Sequence, residues 1–232
     1  MESFSSVDIF ATKGLEYLLV IGYLMVLVVF WKFLNRPSLE LQGAAALGEI
    51  EKPNSSWFQL ADGFYFHQGH SWAVPVTKDV VKVGVDDFAQ KLLGQPESIE
   101  LPEQGSRIEQ GGKGWGFKID SRFIDMLSPV NGEILDVNEE VLKSPELICT
   151  EPYGKGWLMK VKVSNMRNNL NNLISGKLAF AWLEETINKL RVRLVGDLGT
   201  VLQDGGTPLS GFVKNLSPEK WDEIAREFLL VE

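Results

Sequence analysis

Cysteine occurs once in these 232 residues, at Cys149, so no intramolecular disulfide can form and nothing demands an oxidising compartment. Set in the apolar run Leu147-Ile148-Cys149, that thiol reads as a buried, inert side chain. Histidine occurs twice, at His67 and His70. On a strand, this H-x-x-H spacing sends the two rings to opposite faces, and no cysteine cluster lies nearby to complete a metal site, so no metal is expected. Gly-rich phosphate loops, CxxC pairs and triad arrangements are also missing, which leaves no catalytic residue and no enzyme activity to expect. Basic clusters are absent as well, and the formal net charge of -8 would repel phosphate backbones and anionic lipid headgroups. Nucleic acid and polybasic lipid docking are thereby disfavoured. No cofactor and no small-molecule substrate is indicated.

What the chain does have begins near its N-terminus. Leu15 to Leu34 is almost wholly apolar, broken only by Glu16 and Lys32. About 20 residues rising 1.5 Å each match a hydrocarbon core of roughly 30 Å. Tyr17, Tyr23 and Trp31 include aromatics near both ends, Lys32 can snorkel, and Pro37 bars further helix. The expectation is a retained transmembrane helix over 15–36 after a leader over 1–14, preferred to a cleaved signal peptide because the leader is long and carries Glu2 and Asp8. Lys32, Arg36 and Lys52 outnumber Lys13, which would put the main domain in the cytoplasm, anchored by a single pass in the cell inner membrane.

A linker is expected over 37–56, where Gly43, Gly48, Pro53 and Asn54 accompany no sustained apolar period. From Trp57 the pattern turns to strands. Val80–Val85 is rich in β-branched residues, and 157–163 alternates lysine with valine beyond an apolar start. Glycine, proline and asparagine punctuate such runs at Gly105, Gly111-Gly112, Pro129-Val130-Asn131-Gly132 and Pro152-Tyr153-Gly154. Helices are expected over 86–93 and 178–190. Trp72, Trp115 and Trp157, in strand-like contexts, are expected in the core. Past a domain over 57–190, an extension over 191–232 holds Ser217-Pro218-Glu219, a helix start with a hydroxyl cap and a proline at the first position. Trp221, Ile224, Ala225, Phe228 and Leu229 then share one helical face. That face must be buried, either on its own domain or against a partner subunit; Trp221, Ile224, Phe228 and Leu229 are the partner-docking candidates.

A series of ordered blocks adds a resemblance. Phe66-His67-Gln68-Gly69-His70-Ser71-Trp72 looks like an opening strand, followed by Val83-Gly84-Val85-Asp86-Asp87-Phe88-Ala89-Gln90, Glu100-Leu101-Pro102-Glu103, Ser128-Pro129-Val130-Asn131-Gly132-Glu133, Ser144-Pro145-Glu146-Leu147 and Glu151-Pro152-Tyr153-Gly154-Lys155-Gly156-Trp157-Leu158. In this order they resemble the H protein of the glycine cleavage system over roughly 63–190. The resemblance implies a mainly β fold with flanking helices, an α+β lipoyl-type barrel-sandwich hybrid. It also implies a hairpin, bracketed by Pro102 and Pro129, whose tip carries a lipoyl lysine. The tip here reads Lys118-Ile119-Asp120-Ser121, with Ser121 in the place of that lysine.

A serine hydroxyl cannot form the stable amide that lipoylation requires. Lys118 lies three residues early, an odd shift that puts it on the other strand face and away from the apex. Asp120, Asp125, Asp86 and Asp87 are expected to be solvated or to cap helices. The expectation is therefore a non-catalytic, non-lipoylated subunit that scaffolds or docks a larger bacterial membrane complex, with an electron-transfer complex as host and its protein subunits as partners. Two other readings remain open: a carrier modified at Lys118, and an adaptor recruiting a lipoate-handling enzyme.

Overall fold

A computed structural model describes residues 9–34, 57–198, 210–216 and 218–231. The chain divides into two compact units, Met1–Glu40 and Leu41–Glu232. In the first, helix α1 (Ile9–Leu34) begins inside the segment expected as a leader. Tyr17, Leu19, Met25 and Trp31 on it are exposed. Among the described residues, no helix is long and apolar enough to cross a membrane. The expected transmembrane helix over 15–36, and with it the single-pass inner-membrane localisation, does not stand. Residues 1–8 of the expected leader and the linker over 37–56 lie outside the described residues.

The described strands of the second unit form two antiparallel sheets. The larger runs, in spatial order, β10 (Ile174–Ser175), β1 (Tyr65–Phe66), β2 (Ser71–Pro75), β3 (Val80–Val85), β9 (Met159–Lys162), β8 (Gly132–Val137) and β5 (Arg107–Ile108). The smaller comprises β4 (Ser98–Glu100), β6 (Lys113–Ile119) and β7 (Arg122–Leu127). Helices α2 (Asp87–Leu93), α3 (Glu139–Lys143), α4 (Leu147–Thr150), α5 (Met166–Asn171), α6 (Gly176–Leu198), α7 (Phe212–Leu216) and α8 (Trp221–Leu229) accompany them. This is the expected mainly β fold with flanking helices, but the barrel is not closed. Pro102 follows β4, and Pro129 stands between β7 and β8 where the chain leaves the small sheet for the large one. Neither can donate to a continuing ladder. Two turn bonds, Gly111 N–H to Ser128 O at 2.9 Å and Ser128 N–H to Gly112 O at 2.8 Å, tie this crossing instead.

Alternation is clearest at the start of β3 and along β7. In β3, Val81 and Val83 face inward and are fully buried while Val80 and Lys82 are half-buried. The expected opening strand over 66–72 is instead a hairpin: His67 N–H donates to Ser71 O at 2.8 Å, and His70 takes a left-handed φ of 60° in the turn. Helix α2 starts where expected because the Asp86 carboxylate accepts from Ala89 N–H at 2.8 Å. Helix α6 overruns its expected limits at both ends. Pro218 to Lys220 form a turn rather than a first helical turn, so α8 begins at Trp221, without a side-chain cap bond; Ser217 lies outside the described residues. Trp72 and Trp115 are buried as expected, whereas Trp157 is half-buried beneath the ammonium groups of Lys82 and Lys160, at 5.6 and 4.9 Å.

Candidate functional site: the β6–β7 hairpin and its surroundings

Register places the hairpin apex without ambiguity. Ile119 pairs with Arg122, leaving Asp120 and Ser121 as a two-residue loop with φ of 48° and 64°. Positive φ at both central residues is what a type I′ turn requires, and that turn matches the twist of the flanking strands. Ser121 is exposed at the apex. Ile119 points into the core, 3% exposed. Lys118 lies on β6 opposite Phe123, its ammonium 3.9 Å from Glu97 and about half its side chain in solvent. Of the four residues singled out at the tip, only Asp120 and Ser121 form the apex, and neither carries an amine.

The apex is gripped by the C-terminal helices. The Lys214 ammonium on α7 pairs with Asp120, and Arg122 on β7 pairs with Asp222 on α8. Arg122 also lies 5.5 Å over the Trp221 ring, and the Arg226 guanidinium donates to Phe123 O at 2.9 Å. Beneath these contacts, Trp221, Ile224, Ala225 and Leu229 are buried, and Phe228 packs 5.8 Å from Phe88. Phe212 and Val213 of α7 are buried as well, with Phe212 6.4 Å from Phe58. Each large apolar side chain buried there contributes about 1.5–3 kcal/mol, against at most about 1 kcal/mol for a half-exposed ion pair. Burial therefore holds the helices down, and the ion pairs set their register on the hairpin. The stripe proposed to dock a partner, Trp221, Ile224, Phe228 and Leu229, is spent within the chain's own domain. Of the two destinations left open for this face, its own domain is the one these contacts describe, with Phe228 half-buried at the edge.

A second polar cluster lies behind α2. His70, 1% exposed, holds Asp86 through Nδ1 at 2.7 Å and is stacked between Phe88 and Trp182, with centroids at 4.1 and 4.7 Å. Asp87 accepts from Gln59 N–H at 2.8 Å and from the Lys91 ammonium at 2.8 Å. The Tyr153 hydroxyl accepts from Asp87 N–H at 3.1 Å and donates to Gln59 O at 2.7 Å. Burial, helped by the neighbouring Asp86 charge, pushes the Tyr153 phenol well above its usual value. Asp86 caps α2 as expected, but neither it nor Asp87 is solvated: both are buried, and their oxygens are satisfied by these donors. Aromatic rings on both sides of His70 leave a substrate no approach, so this arrangement serves the fold.

Of the remaining residues singled out, Asp125 pairs with Lys113 at 2.9 Å. His67 accepts from Gly69 N–H through Nδ1 at 3.0 Å, and burial followed by the nearby His70 lowers its pKa, favouring the neutral ring. Cys149 is half-buried rather than buried, near Ser210 at 3.7 Å, and burial pushes its thiol up. Among the described residues, no group of three or more His, Cys, Asp and Glu side chains could hold a metal ion. Sequence reasoning missed Arg122, Lys214, Asp222 and Arg226. Their contacts with the hairpin join residues about 100 positions apart, and no local pattern announces such pairs.

Residues 64–186 match the family described as glycine cleavage H-protein, just over half of the chain. A probable glycine cleavage system H protein 2 from Sulfurisphaera tokodaii is 36% identical over 131 residues, covering 56% of this chain and 88% of the relative. The glycine cleavage system H protein of Carboxydothermus hydrogenoformans is 38% identical over 120 residues, covering 52% and 91%. A crystal structure of a glycine cleavage system H protein from Mycobacterium marinum aligns with a TM-score of 0.47 at 24% identity, covering 54% of this chain and 98% of that one. Family match, antiparallel architecture and hairpin coincide over one stretch, and the chain belongs to the glycine cleavage H-protein family.

Proposed function

We propose that this chain is a non-catalytic member of the family that carries no lipoyl arm and acts as a docking or scaffolding subunit of a larger protein complex. One observation carries the reading: the two residues at the hairpin apex are Asp120 and Ser121, and an acyl arm held as an amide needs an amine there. Lys118 is a poor substitute. Its side chain leaves β6 two residues before the apex and faces Glu97, so an enzyme that recognises the turn would find it out of place. With no arm to swing, a retained fold has its surfaces left to act through, and protein subunits are the partners that suit an acidic chain of net charge -8.

Intact mass of the protein isolated from its native host tests the reading. The unmodified mass is expected. A mass increased by one lipoyl group, mapped to Lys118, would replace the scaffold with a carrier. Native co-purification supplies the second arm: associated subunits are expected, and recovery of the free monomer alone would count against the docking role.

A further inference from the structure

We propose that α7 and α8 form a strap that clamps the β6–β7 hairpin and closes its apex to any enzyme that must grip the turn. The proposal rests on the reading of 120–121 as the apex that bears the arm in the family, and it adds a barrier independent of the missing amine. The strap lies at 212–229, beyond the matched residues 64–186, so this chain adds it to the family domain.

The geometry argues for a clamp rather than incidental packing. Contacts reach the turn from both flanks: Lys214 holds Asp120 on the apex itself, while Asp222, Trp221 and Arg226 hold Arg122 and Phe123 just beyond it. Charges alternate along the hairpin, acid at 120 and base at 122, and the strap answers with base at 214 and acid at 222. A slip of the strap would bring like charges together, so one register is favoured. Farther from the turn, Arg193 on α6 holds Glu223 and Glu227 at 3.3 Å, and Gly211 N–H donates to Lys91 O at 2.7 Å. The strap is thus fastened to α6 and α2 as well as to the hairpin. A modifying enzyme would have to surround residues 118–123, and on one side that space is filled.

The test uses the full chain. Lys214→Ala, Asp222→Ala and Arg226→Ala together remove the polar grip, and Ile224→Ala added to them weakens the buried face that holds α8 down. Amide hydrogen exchange over 119–123 is expected to rise by about tenfold or more, with β3 and β9 unchanged. Exchanging the charges, Asp120→Lys with Lys214→Asp, is expected to restore slow exchange that either change alone loses. The second arm places Ser121→Lys in the intact and the loosened strap and supplies a lipoate–protein ligase with lipoate and ATP. The lipoate carboxylate forms an acyl adenylate with loss of pyrophosphate; the introduced amine then attacks its carbonyl, an amide forms, and AMP and a proton leave. Modification is expected only with the strap loosened. Equal exchange in all variants, or full modification with the strap intact, would overturn the clamp while leaving the armless reading in place. If neither background is modified, the exchange data decide. Lipoate on the native protein would overturn the armless reading whatever the exchange shows.

Discussion

Ile224→Asp is the sharpest probe of how the C-terminal extension is attached. Ile224 is fully buried on α8, on the face that also carries Trp221, Ala225 and Leu229. Truncation to alanine alone should cost about 2–5 kcal/mol through lost burial and an unfilled cavity. An aspartate adds the penalty of an unpaired buried carboxylate, several kcal/mol unless it takes up a proton. At roughly 2–4 °C per kcal/mol for a unit of this size, the melting temperature of the full chain should fall by about 10 °C or more. The sign of the pH dependence follows. A buried carboxyl has a folded pKa above its unfolded value near 3.9, so the extra loss should be full above the folded pKa, shrink as pH falls from there, and be gone below the unfolded value. Thermal melts by near-ultraviolet circular dichroism, with Ile224→Ala and the exposed Leu178→Asp alongside, check each step. Leu178 is 68% exposed, so its substitution should move stability by no more than about 0.5 kcal/mol. A melting temperature unchanged in Ile224→Asp would refute the docking of α8 on its own domain.

Two further outcomes are expected. A Cβ at Gly132 would meet the Lys162 carbonyl oxygen at 2.3 Å, so Gly132→Ala should force β8 away from β9 and cost about 1–3 kcal/mol or more, read by denaturant unfolding. Because the Tyr153 phenol is held protonated in the fold, its ionisation should be missing from an ultraviolet titration until the protein unfolds. Stability contributed there is present below the unfolded value near 10 and is lost as pH rises beyond it; a Tyr153→Phe variant that keeps the same alkaline transition would refute this.

Local signals were sound where the physics is local. A run rich in β-branched residues marked β3, the Asp86 carboxylate marked the start of α2, and the spacing of Trp221, Ile224, Ala225, Phe228 and Leu229 marked one face of α8. Of the Ser217-Pro218-Glu219 start signal, Pro218 and Glu219 lie in a turn ahead of α8, and Ser217 lies outside the described residues. The apolar run over 15–34 was given a destination, a membrane, that a helix's composition cannot supply by itself. For Asp87 the local pattern allows solvent or a helix start, and nothing adjacent in sequence shows that Gln59, Lys91 and Gln90 converge on it.

Composition and pattern by themselves determined the family resemblance and the mainly β fold, since each depends on residue identity along the chain. Tertiary structure alone decided that the sheets stay open, that α8 packs on its own domain, and that Lys214, Asp222 and Arg226 meet the turn. These are contacts between segments about 100 residues apart, and an amphipathic face specifies only that it must be covered, not by what.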